Sequence, residues 1–549
     1  MKDYSAIINA VHAGLVDNVM SMIDSGTDVD TTDEEGLTLL MIAIDNGHVD
    51  LVNRLIACGA NINAQDKSGY TVLLHAVAAN QYDIIVLLLQ RGVDIFVSNT
   101  DGWKVASLAV LTGDAEIVQV LINAGVNVQT TDSHGNTLLA VAVKYEQTEV
   151  VQRLLLLGAN VDSSNVNGWT PLMLAVHNGS AHLVDMLISA RADVDMCNNS
   201  VWSPLNLSIV KNHVNITKIL ISAGATIDSV DDCGWTPLMV AVLYKRRQIV
   251  ALLIQAGASV RSRNSAGWTP LELAIHSGNT SILSMILHAG ADIENESKDF
   301  TTPLFCAVQN NRTSAVKLLL EAGADTESLD EKGNIPIMLA VKNNHYRIVR
   351  ALASHGAELE TVDHHGLTPL IAAIRYGYPD VLRELISAGA SVEVVDNNGR
   401  TPLMIASQLG RIDIVKTLLE SQPSLEVRDN KDWTSLMIAA GDNQDRVVNC
   451  LLQAGANIES NDGVIGTPLM FAAMNGGVTT VEVLLAVGAN IEALDCDNWT
   501  PLILAVEQNQ REVVELLITH GANLEAKTRD AWTPLMIATV NNYKEILRD

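Results

Sequence analysis

The feature that most constrains this chain is strict periodicity: one residue pattern recurs at a single spacing without an insertion or deletion. Stepping by 33 from the threonine of Gly-Trp-Thr-Pro-Leu at Thr170 lands on Thr38, Thr71, Lys104, Thr137, Ser203, Thr236, Thr269, Thr302, Ile335, Thr368, Thr401, Thr434, Thr467, Thr500 and Thr533. One more step back reaches Ser5, and residues 1–32 follow the pattern loosely, giving about 17 units in 549 residues. A period of this length belongs to architectures in which each unit buries its apolar face against its neighbours alone.

Each unit reads as local physical chemistry. The slot residue is Thr in thirteen of sixteen units and the next is Pro in eleven. A threonine hydroxyl accepts from the free N–H groups of a helix start, and a proline just inside that start loses no hydrogen bond. Five residues after the slot stands Ala in fifteen of sixteen units, with Ser208 the exception, which fits two helices in close approach. Paired apolar positions such as Leu183, Val184, Leu187 and Ile188 make the stripe of a second helix. A Gly then recurs at one place in the unit, from Gly59 to Gly521, and serves as a left-handed C-cap. Asp or Asn opens a turn five residues before the next slot in fourteen units. The unit is helix, short turn, helix, extended turn.

This pattern resembles the ankyrin repeat, whose D-x-x-G-x-T-P-L-H-x-A-A signature is matched by DDCGWTPLMVAV at 231–242 and NSAGWTPLELAI at 264–275. The resemblance covers essentially the whole chain and implies an all-α repeat solenoid of helix-turn-helix-β-turn units. Residues 1–32 are expected to form an N-terminal capping unit, 33–527 fifteen uninterrupted repeats, and 528–549 a truncated repeat or cap. One departure is systematic. The family's TPLH histidine stands as Met at Met41, Met173, Met239, Met338, Met404, Met437, Met470 and Met536. In place of that histidine's hydrogen bonds, thioether packing is expected. Glycine is lost from the C-cap at Arg191 and Gln422, and from the turn at Val201, Phe300, Asp432, Ile465, Asn498 and Ala531. Arg191 and Val201 bracket one turn, for which a reshaped loop is expected. A short, polar final helix is expected over 541–549.

Composition excludes several function classes. With 35 Lys plus Arg against 63 Asp plus Glu, the formal charge is −28, unfavourable for nucleic acid and for anionic membranes. Six dispersed cysteines without a C-x-x-C pair make neither a disulfide framework nor a zinc signature and suit a reducing compartment, cytoplasmic or nuclear. No apolar run is long enough for a membrane span. P-loop, G-x-G-x-x-G, nucleophile-elbow and H-E-x-x-H motifs are absent, and the His364-His365 doublet sits in a variable turn, so no catalytic residue, metal or cofactor is expected.

Two columns break the uniformity. All eight tryptophans, Trp103, Trp169, Trp202, Trp235, Trp268, Trp433, Trp499 and Trp532, occupy the residue before the slot. At this N′ position each has a staple partner at the fourth helical residue: Leu108, Leu174, Leu207, Val240, Leu273, Ile438, Leu504 and Ile537. The resemblance also places them on the concave, partner-facing surface, and Trp is enriched in binding hot spots. Trp169, Trp202, Trp235 and Trp268 stand in consecutive units, with Val210, Leu243 and Tyr244 on the same face. At about 10 Å per repeat they make a strip of roughly 30 Å, suited to a peptide or an amphipathic helix. The second column is acidic: Glu294, Glu327, Glu360, Glu393, Glu426, Glu459, Glu492 and Glu525, preceded by Asp162, Asp195 and Asp228. It reads either as a docking rail for a basic partner or as a solubilising edge. The basic triplet Lys245-Arg246-Arg247 reads as a solvated loop.

The expected function is a non-catalytic scaffold or adaptor, a monomer that binds a basic or apolar protein partner along the concave surface. The alternative is the targeting portion of a larger enzyme, receptor or channel.

Overall fold

The structure, a computed structural model, describes residues 5–96, 104–294 and 302–548. Trp103 and Phe300 lie outside these residues. Among the described residues there are 33 helices, from Ser5–His12 to Pro534–Val540, and the only β pairing is in isolated bridges such as Thr32 with Thr38. The chain forms two compact units, Met1–Leu273 and Ala274–Asp549.

The helix starts follow the sequence rule. In the repeat opened by Thr170, the first helix is Pro171–Asn178 and the second Ala181–Ser189. The Thr170 hydroxyl accepts from the Met173 N–H at 3.2 Å, and Thr38, Thr71, Thr236 and Thr500 make the same bond. Leu172, Met173, Ala175 and Val176 of the first helix and Leu183, Val184 and Leu187 of the second have no exposed surface. The core is mainly aliphatic, with Phe305 and Phe471 its largest fully buried side chains, and each large apolar side chain contributes about 1.5–3 kcal/mol by leaving water.

The methionines that stand in place of histidine are buried from Met41 through Met470, whereas Met536 is 51 % exposed. Two of them do more than pack. The sulfurs of Met404 and Met437 accept the backbone N–H of Thr401 and Thr434 at 3.4 Å and close a capping box. In the repeat opened by Thr269, Glu272 does this with a carboxylate oxygen at 2.7 Å, leaving its buried Oε1 without a partner.

The reshaped loop expected between Arg191 and Val201 is not found. Both residues adopt the left-handed conformation in which glycine normally sits, with φ 68° and 61°. The turn bonds are those of the glycine-containing repeat before it. Asn198 N–H donates to the Trp202 carbonyl at 3.1 Å and Val201 N–H to the Asn198 carbonyl at 2.9 Å, matching 3.0 and 2.9 Å for Asn165 and Gly168. The amide of Asn199 also pairs with the Asn167 carbonyl at 3.2 Å in the preceding turn. These bonds hold the backbone, and the β-branched Val201 bears the strain. Asp432, Asn498 and Ala531 behave alike, with φ 59°, 63° and 63°. Among the described turns that lose glycine, only the one holding Ile465 is rebuilt: Gly463 and Gly466 take the positive φ, and Asp462 Oδ1 accepts from Val464, Ile465 and Gly466. The expected final helix is also not formed. Residues 541–548 make turns with one α-type bond, from Leu547 N–H to the Tyr543 carbonyl, too few to nucleate a helix.

Val201→Gly is expected to raise stability by about 1 kcal/mol, because glycine occupies the left-handed region without steric cost. Gly168→Val is expected to lower it, since an added Cβ would lie 2.7 Å from the Asn199 nitrogen. Urea unfolding followed by circular dichroism of the two variants checks both signs.

Candidate functional site

The tryptophan column is set by turn chemistry. The turn-opening Asn or Asp accepts the Trp N–H through its side chain: Asn165 from Trp169 at 3.0 Å, Asn198 from Trp202 at 3.0 Å, Asp231 from Trp235 at 2.8 Å, and Asn264 from Trp268 at 2.9 Å. The same residue donates its own N–H to the Trp carbonyl, at 3.0 to 3.2 Å in these four turns. Clamped from both sides, each Trp leaves the turn in a repeated way. The indoles are then half-buried, while the staple partners Leu207, Val240 and Leu273 keep only 8 % exposure each. Trp499 packs beside Met470, Ala493 and Leu504.

The tryptophans are not equivalent. Trp433 is engaged on every side: its Nε1 donates to Asp462 at 3.1 Å, Phe471 stands edge-on at 5.0 Å, and the Lys431 ammonium lies 4.8 Å from the ring. The indole N–H groups of Trp169, Trp202 and Trp235 donate to no acceptor among the described residues, although Trp169 has the His177 ring edge-on at 5.5 Å. Beside them Leu243 is 49 % and Tyr244 43 % exposed, and Val210 is half-buried. Of the basic triplet, Arg246 is a strap, since its Nη2 donates to the Val210 carbonyl at 2.9 Å in the preceding repeat.

The acidic column has an intrinsic structural role in addition to its charge. One oxygen of each carboxylate but that of Glu525 accepts a backbone N–H at a fixed place in the next repeat. Glu294 holds Asp325, Glu327 holds Glu358, Glu360 holds Ser391, and Glu393 holds Ser424, at 2.8 to 3.0 Å. Glu426, Glu459 and Glu492 hold Asn457, Asn490 and Asn523 at 2.7 to 2.9 Å. Asp162, Asp195 and Asp228 do the same for Asp193, Thr226 and Ser259. Only Glu525 makes no such bond among the described residues.

Sequence reasoning missed a third cluster. His75 Nδ1 lies 3.0 Å from Asp45 and Nε2 lies 3.3 Å from Asp66, so one imidazole spans two carboxylates from different parts of adjoining repeats, with Tyr70 against its ring. Burial pushes the His75 pKa down, but the two carboxylates outweigh it and hold the pKa above 6.5. A search of same-face positions in neighbouring repeats would have found it.

In Glu426→Ala the Asn457 amide loses a charge-assisted partner worth about 1 kcal/mol at an exposed site, so its hydrogen exchange should quicken by about fivefold. Glu426→Gln keeps an acceptor oxygen, and its exchange should change little. A group whose folded pKa is raised contributes stability fully below its ordinary pKa and loses it as pH climbs through the raised value. Stability of the first repeats should therefore fall as pH rises from 6 to 8 in the parent and vary less in His75→Asn, as read by hydrogen exchange of the Val72–Ala78 helix.

Comparison with protein families agrees with this repeat pattern. The family model described as ankyrin repeats, in three copies, matches residues 7–99, 87–165, 139–231, 223–297, 304–396, 370–462 and 469–548. Among solved structures, the chain is similar to the ankyrin repeat domain of Bcl-3, a unique member of the IkappaB protein family. That similarity is 28 % identity over 40 % of this chain and 99 % of the other, with a TM-score of 0.37. No curated protein matches. Ankyrin repeats are in general protein-interaction modules and typically non-catalytic, and no helix among the described residues is long and apolar enough to cross a membrane. By repeat, cap, turn and family match together, the chain belongs to the ankyrin repeat family.

Proposed function

We propose that this chain is a non-catalytic, monomeric scaffold that docks a protein partner on the face made by its turns and first helices. The contact centres on Trp169, Trp202, Trp235 and Trp268, with Val210, Leu243 and Tyr244 beside them. One observation carries this reading. Consecutive repeats present half-buried indoles, three of them with undonated N–H groups, next to apolar side chains that remain exposed. A staple needs only an aliphatic side chain, so an indole leaves surplus apolar area and a free donor, the two properties of an interface anchor. The acidic column is read here as an inter-repeat strap, and any docking role for it is secondary. A reducing compartment, cytoplasm or nucleus, fits six cysteines that form no disulfide among the described residues.

The test replaces all four tryptophans with Leu, which still staples. Circular dichroism should be unchanged, while retention of partners from native lysate, quantified by mass spectrometry against the parent chain, should fall by at least about a hundredfold. Equal retention by parent and variant would reduce these tryptophans to staples.

A further inference from the structure

The charge of the whole chain favours a basic partner, but beside the tryptophan strip three exposed lysines stand without a carboxylate partner among the described residues. Seven to nine residues after the slot, the strip is flanked by Lys144 and Tyr145, by His177, by Val210 and Lys211, and by Leu243, Tyr244 and Lys245, all but half-buried Val210 exposed. Lys144, Lys211 and Lys245 pair with no carboxylate among the described residues. The ammonium of Lys144 rests 5.6 Å from the Tyr145 ring, and the Arg246 guanidinium 6.0 Å from that of Tyr244. Arg263 adds a cation in the turn before Trp268, where its Nη1 donates to the Gly267 carbonyl at 2.9 Å. The carboxylates on this face include Glu146, Asp132 in the turn ahead of Lys144, the buried Glu272 and the turn pair Asp231 and Asp232; Asp132 Oδ1 is held by the amides of His134 and Asn136, and Asp231 Oδ1 by those of Cys233 and Trp235.

For Lys144 the cause is visible in the turn-opening residue. Within residues 274–549 the cation seven positions after a slot is met by the acid that opens the next turn: Lys342 by Asp363 at 3.0 Å, and Arg375 by Asp396 at 3.9 Å. Along the strip three of the four openers are amides, Asn165, Asn198 and Asn264, and the fourth is Asp231. An amide closes the same turn, as its bonds to Trp169, Trp202 and Trp268 show, without supplying the countercharge. At Asn165 the strip thus keeps its turn geometry and leaves Lys144, seven positions after its slot, without the acid that meets Lys342 and Arg375. Lys211 and Lys245, eight and nine positions after theirs, pair with no carboxylate among the described residues. The strip's undonated indole N–H groups add hydrogen-bond donors and no acceptors.

On this basis, and resting on the docking reading above, we propose that the strip from Trp169 to Trp268 binds an acidic peptide segment carrying spaced apolar anchors, Asp or Glu alternating with Leu, Phe or Trp. The apolar side chains sit between indoles. The carboxylates meet Lys144, Lys211, Lys245 and the indole donors. A peptide of about 16 residues reaches roughly 50 Å when extended, enough to cross the strip.

The test selects a random peptide library of that length, displayed on phage, against the immobilised full chain, then measures the enriched peptides in fluorescein-labelled form. Enriched sequences should be rich in Asp and Glu and carry aromatic or leucine anchors. Their affinity should fall by at least about tenfold in Lys144→Glu/Lys211→Glu/Lys245→Glu, and steeply with added NaCl. The three lysines are exposed, and circular dichroism confirms that the variant folds. Neutral or basic enriched peptides, no enrichment, or indifference to the lysine reversals would overturn the acidic-partner proposal. So would tighter binding of a fluorescein-labelled oligo(dT), which would make the strip a single-strand nucleic acid platform. The two levels separate in the four-Trp→Leu variant. Uncharged peptides that lose binding there leave the anchoring role standing and remove the charge argument, whereas peptides indifferent to the tryptophans remove the anchoring role itself.

Discussion

The structure depends on burial between neighbours. No single helix pair encloses its own apolar side, so Leu172, Val176, Leu183 and Leu187 reach zero exposure only because other repeats cover them. Burial of this kind is tolerant in direction and gives no register of its own. Register comes from hydrogen bonds with a fixed span. The carboxylates of Glu294, Glu360, Glu426 and Glu492 accept the amides of Asp325, Ser391, Asn457 and Asn523, the same distance along the chain each time. An inserted residue between donor and acceptor would break that strap and turn the next helix pair out of phase with its neighbour's apolar face. The unbroken period is the sequence trace of that constraint.

Much of this was legible because it is local. A Thr hydroxyl at a helix start, a proline after it, an alanine where helices touch and a glycine at the helix end each act within a few residues, and the helices begin where those residues say. What was not legible acts between repeats. Val201 looked like a broken turn, yet the Asn198 bonds and the pairing of Asn199 with Asn167 hold the backbone in a conformation that valine disfavours. The acidic column looked like surface charge because a carboxylate whose donor lies in the next repeat has no local signature. Arg246 looked like part of a solvated basic loop and is a strap to the Val210 carbonyl. His75 carried no motif at all, because its two acids, Asp45 and Asp66, come from separate stretches of the chain.

The same division explains the candidate site. That every tryptophan lies before a slot, with an aliphatic residue in staple position, is visible in the sequence. Which tryptophans are satisfied is not. Trp433 finds Asp462, Phe471 and Lys431, whereas Trp169, Trp202 and Trp235 find no acceptor for their indole N–H among the described residues. The distinction rests on what the next repeat offers, and composition averages it away.

Net charge is averaged away in the same manner. A formal charge of −28 describes the far field, which decays over about 8 Å at physiological salt, while a docking face is read at contact distance. At that distance the choice of Asn or Asp to open a turn is decisive, because both accept the same backbone amides and only one neutralises the cation packed against it. The framework bond thereby keeps its geometry while the sign of the surface is free to change from repeat to repeat. A chain that is acidic as a whole can in this way present indole donors and an uncompensated Lys144 along one run of turns, while its far field stays acidic.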